Sequence, residues 1–323
     1  MRRWWPVGLL LAAGAVLPLT GDYNLHVSNL FMFYAICVLG LNILVGYTGQ
    51  FSLAQAAFFG IGAYVATLCV LDLHLPHGVA IVAAGLCTGA FGILLGLPTL
   101  RLSGGYLAIA TVAFGETIRL VMLNWVRVTR GSSGIRGIPA FRVFGYEFLT
   151  LKSQFYLTLF FFALCVWIYT RMIHSHVGRV FTAIRENEPA ARAMGINTLY
   201  YKVLAFASSS FLCGIAGGLY AFTIRFISPD SFVASESIAM LSMVVIGGVG
   251  TISGAIIGAL LLTFLPEWLR SMGDYRLLLF GSLLVVMMLF MPDGIVGLAN
   301  KVFERFGPRP SARAEEREID GTS

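Results

Sequence analysis

Long apolar runs alternate with short polar segments along most of this chain. Most of the runs have about 17–22 residues, the length of a helix that crosses the hydrocarbon core of a bilayer. They lie near residues 4–20, 29–46, 53–71, 78–97, 104–123, 153–171, 203–224, 237–249, 253–268 and 276–292. The pattern predicts an all-α polytopic membrane protein with about ten transmembrane helices, within a range of eight to ten.

Composition agrees with this prediction. Hydrophobic residues make up 58% of the 323 residues and charged residues only 12%, whereas soluble domains have about 25% charged residues. The net charge of +6 does not indicate nucleic acid, because the basic residues lie mostly in connecting segments, where lipid headgroups and insertion rules explain them. The five cysteines fall in apolar runs without a CxxC pair, so neither a disulfide framework nor a zinc site is expected.

The distribution of Lys and Arg predicts orientation. With the N-terminus inside, more than half of the 22 Lys and Arg residues lie on the cytoplasmic side. We expect a multi-pass inner-membrane protein with both termini cytoplasmic, and residues 4–20 as an uncleaved first span. Residues 1–300 form the membrane domain, 124–152 an extracytoplasmic loop, 172–202 a cytoplasmic loop, and 301–323 a polar, disordered cytoplasmic tail.

Several catalytic patterns are absent from the sequence. It contains no GxxxxGK[ST] phosphate loop, no HExxH and no GxSxG. We therefore expect no catalytic residue, metal site or cofactor in this chain. Few ionisable residues fall inside the spans, although coupled transporters usually carry buried carboxylates. If the protein moves a solute, the energy is expected to come from outside the chain.

A polar segment, GYTGQFSLAQ at residues 46–55, interrupts an otherwise apolar region. Irregular backbone at membrane depth survives only where protein buries it or a cavity wets it. The segment is therefore either part of a polar path, lined by Gln50, Ser52 and Gln55, or an ordinary cytoplasmic turn. Its lack of Lys and Arg favours the path, and neutral hydrogen-bonding groups suit a neutral or zwitterionic solute.

Glu116 and Arg119 are the clear charged pair within a span. At i,i+3 they face one side of a helix, and a charge there is costly unless it is paired or wet. The pair is either a structural ion pair that locks two helices or a polar lining of the path. The glycines at 250, 254 and 258 form a row at helical spacing, which predicts a tightly packed bundle or a subunit interface.

The segment 177–202 is polar and helix-prone. A single amphipathic helix there would place Phe181, Ile184, Ala191 and Met194 on its apolar side and would end at Gly195. Such a helix either docks into a groove of another protein or lies on lipid headgroups.

Several motifs together carry a family resemblance. They are NILVGYTGQFSLAQAAFFGIGAY, GGYLAIATVAFGETIRL, TRGSSGIRGIP, GRVFTAIRENEPAARAMGI and VVIGGVGTISGAIIGA. The chain, over roughly residues 28–300, resembles the LivM-type permease family of branched-chain amino acid ABC importers. The coupling loop of ABC importer permeases has Glu-Ala-Ala, three residues, then Gly. Here Ala190, Ala191 and Gly195 fit that pattern, but Pro189 replaces the Glu, and the nearest acid is Glu188.

The resemblance implies a fold of the vitamin B12 importer type with about ten helices. It implies a LivH-like permease partner, two cytoplasmic ABC ATPases that bind ATP and Mg, and an extracytoplasmic solute-binding protein, with membrane lipid around the chain. The solute would be a branched-chain or related small amino acid. A urea or short-amide importer is the alternative, and a self-sufficient secondary transporter a more distant one.

The resemblance also assigns candidate residues. The expected translocation path comprises Gln50, Ser52, Gln55, Tyr106, Thr111, Glu116 and Arg119. The expected ATPase-coupling set comprises Arg179, Arg185, Glu186, Asn187, Glu188, Ala190, Ala191 and Gly195.

Overall fold

A computed structural model describes residues 21–99, 102, 104–143 and 145–268, with short pieces at 281–282 and 294–297. The predicted spans near 4–20 and 276–292, and the predicted tail at 301–323, lie outside the described residues. Nine long or medium helices and two short ones account for most of the described chain.

The helices follow the chain in a regular order. They are α1 Asp22–Asn42, α2 Gln55–Leu71, α3 His77–Thr99, α4 Gly105–Asn124, α5 Val126–Thr129, α6 Leu151–Ile173, α7 His176–Glu186, α8 Glu188–Ala193, α9 Thr198–Ile224, α10 Ala234–Gly247 and α11 Ile252–Trp268. A π-helix, Ile43–Tyr47, extends α1, and 3₁₀ turns lie at Gly131–Ser133 and Pro229–Phe232.

Each predicted span within the described residues corresponds to one of these helices. Six segments are long and apolar enough to cross a membrane, while α2 and α11 are shorter apolar helices. The clearest difference is the start of α1, which begins at Asp22 rather than near residue 29. The polar residues there are compatible with a helix because Asp22 lies at the positive end of the helix dipole. The Ser28 hydroxyl donates to the Asn24 carbonyl oxygen at 2.6 Å.

The core is built around α1, which packs against α6, α9, α10 and α11. Beside it, α2, α3 and α9 approach one another through small residues. A Cβ added at Gly62 would lie 2.5 Å from the Gly214 Cα, and one added at Gly92 would lie 2.8 Å from the Phe206 carbonyl oxygen. Such close contacts between backbones are typical of helix packing in membranes.

One end of the bundle carries short strands that the all-α prediction missed. β1 (Ile135–Arg136) pairs antiparallel with β4 (Phe226–Ile227), and β2 (Arg142–Val143) pairs with β3 (Tyr146–Glu147). We call this the sheet end. The opposite, junction end comprises residues 43–54, α7, α8 and the turn at 248–251.

Candidate functional site

The polar break lies at the junction end and is a true interruption of helix. The π-helix ends at Tyr47, and the next helix begins at Gln55. The Leu44 carbonyl oxygen accepts from the Thr48 backbone N–H at 3.3 Å and from the Gln50 N–H at 2.9 Å. The chain therefore leaves the helix through a tight turn that protein buries, as irregular backbone at membrane depth requires.

The three polar side chains predicted for the break are all buried. The Gln55 amide joins α2 to α9, because its Nε2 donates to Ser209 Oγ at 2.8 Å and its Oε1 accepts from Cys213 Sγ at 2.7 Å. The Ser52 hydroxyl accepts from the Ala54 backbone N–H at 3.4 Å. By contrast, Gln50 Nε2 is buried with no hydrogen-bond partner in the described part of the chain. In this conformation Gln50 is the residue of the three with a donor to offer.

Thr111 fastens the break to α4. Its hydroxyl accepts from the Leu53 backbone N–H at 2.9 Å and donates to the Ala108 carbonyl oxygen at 2.8 Å. The side chain is fully buried. Thr111 thus holds the irregular segment against α4 rather than presenting its hydroxyl to a solute.

Glu116 and Arg119 lie farther along α4 and form a close ion pair. Arg119 Nη2 lies 2.6 Å from Glu116 Oε1, and Arg119 Nη1 lies 3.8 Å from Asp230 Oδ1 of the 3₁₀ turn. The Glu116 side chain is 41% exposed. The pair is therefore formed within one helix and tied to the sheet end, and it also borders open space. Both interpretations made from the sequence stay open.

The exposed faces of α3 and α4 differ in chemistry. The exposed positions of α3 are apolar, namely Val79, Val82, Leu86, Ala90, Ile93, Leu94, Leu97 and Pro98, apart from Gly78 at its start. The exposed stripe of α4 mixes apolar and polar groups, namely Tyr106, Ile109, Ala113, Thr117, Leu120, Val121 and Asn124, beside the half-exposed Glu116. An apolar face suits lipid, whereas a carboxylate and polar side chains need water or protein.

The segment after α6 forms two helices instead of the single amphipathic helix expected. Asn187 is extended, at φ −156°, and its side chain accepts from the Ala190 backbone N–H at 3.0 Å, which begins α8. A continuous helix would need an N–H at residue 189 to bond the Arg185 carbonyl, and Pro189 has none. Arg179, Arg185, Glu186 and Asn187 are exposed, as is Ala190.

A glycine C-cap ends α8 and sets the position of its neighbours. The Ile196 N–H donates to the Ala191 carbonyl at 3.1 Å and the Gly195 N–H to the Arg192 carbonyl at 2.9 Å, the two bonds of a Schellman motif. Phe181, Ile184 and Ala191 are buried as expected. The prediction for Met194 was wrong: its side chain is 83% exposed, because the cap turns it away from the apolar side.

Glu188 organises the base of this segment. Its carboxylate lies 2.6 Å from Lys202 Nζ and 2.6 Å from Arg192 Nη2, and it accepts from Thr198 Oγ1 at 3.2 Å. Partial burial raises the pKa of Glu188. The hydrogen bonds and charges of Lys202 and Arg192 outweigh that effect and hold the pKa below its usual value.

Two of the three glycines in the predicted row pack tightly. A Cβ at Gly254 would lie 2.6 Å from the Gly248 carbonyl oxygen, and one at Gly258 would lie 3.0 Å from the Gly247 Cα. These contacts close the α10–α11 hairpin. Gly250 lies in the turn before α11, so it is not part of the helical row, and its neighbours are in the break and in α7.

Sequence reasoning missed Asn42, a fully buried residue directly before the π-helix. Its amide bonds to α6 and to the turn at 248–251. A lone polar residue five positions from GYTGQ, inside an apolar run, was the available signal. No group of His, Cys, Asp or Glu suited to a metal ion occurs among the described residues.

Taken together, the apolar helices, the buried polar break and the mixed face of α4 define an integral membrane protein built as a helical permease. The sequence profile of the family described as "Branched-chain amino acid transport system / permease component" matches residues 24–292. The chain belongs to this family.

Curated relatives agree with that assignment. The chain is 34% identical to the high-affinity branched-chain amino acid transport system permease protein LivM of Escherichia coli K12, over 91% of this chain and 75% of that protein. It is 26% identical to the permease protein LivH of Escherichia coli K12 over 82% of this chain and 91% of that protein. It is 28% identical to BraD of Pseudomonas aeruginosa, with the same shares covered. No solved structure matches the chain significantly.

Proposed function

We propose that this chain is one of two membrane-spanning permease subunits of an ATP-driven ABC importer for branched-chain or related small amino acids. It forms half of the translocation path in a bacterial inner membrane, with about ten helices in a fold of the vitamin B12 importer type. Both termini and the junction end face the cytoplasm, and the sheet end faces outward. The family match and the LivM and LivH relatives support the class and the solute.

The geometry supports α4 as the wall of the path. Its exposed stripe carries Tyr106 and the Glu116–Arg119 pair, where α3 exposes apolar side chains to lipid. A LivH-like permease would cover this stripe and complete the path between the two subunits. Gln50, with its unpaired buried amide, remains a candidate contact for solute when the break rearranges. Lining roles for Ser52, Gln55 and Thr111 require that they exchange their present hydrogen bonds.

The observation that carries the ABC assignment is the α7–α8 segment. It leaves the bundle at the junction end, is fixed by caps at Asn187 and Gly195, and exposes both charged side chains and the apolar Met194. A rigid element with a central apolar group and a charged rim suits docking into a groove of another protein. We assign that groove to two cytoplasmic ATPases, which bind ATP and Mg.

The sheet end is the proposed docking site of an extracytoplasmic solute-binding protein. There the loop 124–152 is ordered by the β2–β3 hairpin and by the pairing of β1 with β4. Arg127, Arg130 and Arg136 are exposed on this loop, so the surface offers positive charge to a partner.

Co-purification tests the proposal. The tagged chain is extracted from its native membrane in mild detergent, and the proteins that accompany it are identified by mass spectrometry. We expect a second permease and two P-loop ATPases, and uptake of labelled leucine in preference to urea after reconstitution. Preference for urea would move the substrate to the alternative class. Recovery of this chain alone from a preparation that still takes up solute would overturn the ABC assignment.

A further inference from the structure

A single buried amide joins three elements at the junction end. Asn42 Nδ2 donates to Tyr169 Oη of α6 at 2.9 Å and to the Thr251 carbonyl oxygen at 3.1 Å. Asn42 Oδ1 accepts from the Gly250 backbone N–H at 2.9 Å. The end of α1, the end of α6 and the turn between α10 and α11 are therefore held together by one side chain whose polar atoms are all satisfied.

The π-helix follows Asn42 directly and leaves a carbonyl for α7. Gly46 lies at the C-terminal end of the helix, where carbonyl oxygens lack partners within the helix and carry the negative end of the dipole. The Arg185 guanidinium, in the last turn of α7, donates through Nη1 to the Gly46 carbonyl oxygen. The contact joins residues 139 positions apart in the chain, and it links α7 to α1.

The junction has little free space. A Cβ at Gly46 would lie 2.2 Å from Asn42 Oδ1 and 2.6 Å from the Gly250 N, and one at Gly250 would lie 3.0 Å from Arg185 Nη1. Close-packed groups transmit displacement because they cannot be compressed. A shift of Arg185 must therefore move the π-helix and the glycine turn with it.

The connection continues from the π-helix to α4. Only the irregular residues 48–54 separate the π-helix from α2, and within them the Leu53 N–H is bonded to Thr111 Oγ1 of α4 at 2.9 Å. A continuous set of contacts thus runs from Arg185 through Gly46 and Leu53 to Thr111. π-helical turns are often found at functional sites, where a helix changes register.

We propose that Arg185 is a positioning residue that passes the movement of α7 to α4, and that the π-helix and Thr111 are the intermediate steps. This inference rests on the proposed function, because the movement of α7 is assigned to the partner ATPases. Arg185 acts on the π-helix inside the permease, whereas the exposed residues of α8 contact the ATPase. Its loss should therefore separate hydrolysis from transport.

The test compares Arg185→Gln with the reconstituted wild-type complex. Three quantities are measured: the amount of ATPase that co-purifies, the rate of ATP hydrolysis, and solute taken up per ATP hydrolysed. We expect normal recovery of ATPase and continued hydrolysis, with uptake per ATP reduced about tenfold, within the usual range of coupling between sites. A defect confined to folding would lower the amount of complex without changing that ratio.

Matched variants sharpen the result. Arg171→Gln removes a cation from the end of α6, where Arg171 lies over the Trp167 ring, and should leave uptake per ATP unchanged. Arg185→Lys keeps the charge and should recover part of the ratio. Thr111→Val removes the hydroxyl that holds Leu53 while keeping the shape, and should reproduce the loss far from any ATPase contact.

The outcomes distinguish this inference from the proposed function. Loss of ATPase binding by Arg185→Gln would make Arg185 a docking contact and overturn the inference. Normal uptake per ATP in both Arg185→Gln and Thr111→Val would do the same. Should Arg185→Gln fail to insert, Thr111→Val alone decides. If the wild-type chain recovers no ATPase, the proposed function itself fails.

Discussion

Gly195 illustrates a residue whose conformation, rather than its space, restricts the choice of amino acid. Its φ is +82°, and a Cβ added there would meet nothing within 4 Å. The left-handed conformation costs an L-residue about 1–2 kcal/mol. The glycine fits the family pattern of the coupling loop, and in the structure it ends α8 through the Schellman motif.

Gly195→Ala should therefore loosen the end of α8 without a clash. We expect about 1 kcal/mol of local destabilisation, which is roughly a fivefold faster amide exchange over residues 188–196. Gly105→Ala is the control, because its added Cβ also meets nothing while its backbone does not have positive φ. Unchanged exchange in Gly195→Ala would mean that the loop adopts another turn in solution.

Glu116 and Arg119 can be separated by a double-mutant cycle. Arg119→Gln alone leaves the Glu116 carboxylate unpaired within a span and should reduce the amount of inserted protein. Glu116→Gln together with Arg119→Gln leaves no charge and should restore it, since breaking a partly buried pair costs more than removing it. Inserted protein is measured by quantitative membrane fractionation. Equal loss in the single and double variants would contradict the structural role, and a well-inserted double variant without uptake would favour path lining.

At the scale of elements, local pattern predicted the helices and long-range contacts set the site. Apolar runs located all eight described spans, because span length is fixed by the bilayer. The strands at the sheet end were not predicted, because Ile135 and Ile227 are brought together only by the fold. The junction was not predicted for the same reason: Asn42 and Gly250 are 208 positions apart. Within α7–α8, the sequence did contain the break, as Asn187 and Pro189, but helical spacing was given more weight.

The α7–α8 segment should depend on pH through Glu188. Since its pKa is lower in the folded loop than the usual 4.5, the stabilisation is complete above about pH 4.5 and is lost as pH falls through the folded value. We expect pepsin to cleave within residues 186–198 increasingly below pH 4.5 in detergent. Glu188→Gln should be cleaved already at pH 5, because it lacks the charge that holds Lys202 and Arg192.

The control for this experiment is Glu186→Gln, an exposed neighbour that should keep the pH dependence of the wild type. Cleavage is normalised to this variant at each pH, which removes the pH dependence of pepsin itself. If Glu188→Gln and the wild type are cleaved alike throughout, the ion pairs of Glu188 do not stabilise the loop.

At the scale of the whole molecule, the described bundle is complete around α1 and incomplete along α4. α4 packs mainly against α2 and the 3₁₀ turn at Pro229–Phe232. Its outer stripe holds polar groups that lipid would not satisfy, and Tyr106 is 74% exposed. The exposed face of α3 has no such groups. One surface therefore suits a protein partner and the other suits lipid.

This asymmetry predicts which positions the assembly covers. Ile109 is 68% exposed on α4, and Leu86 is 63% exposed on α3. In a chain carrying Cys87→Ser, Ile109→Cys should react with a membrane-permeant maleimide when the chain is expressed alone and should be protected at least fivefold when the second permease is co-expressed. Leu86→Cys should react equally in both cases, which controls for reagent access. Protection of Leu86→Cys with continued labelling of Ile109→Cys would place the partner on α3 and remove α4 from the path.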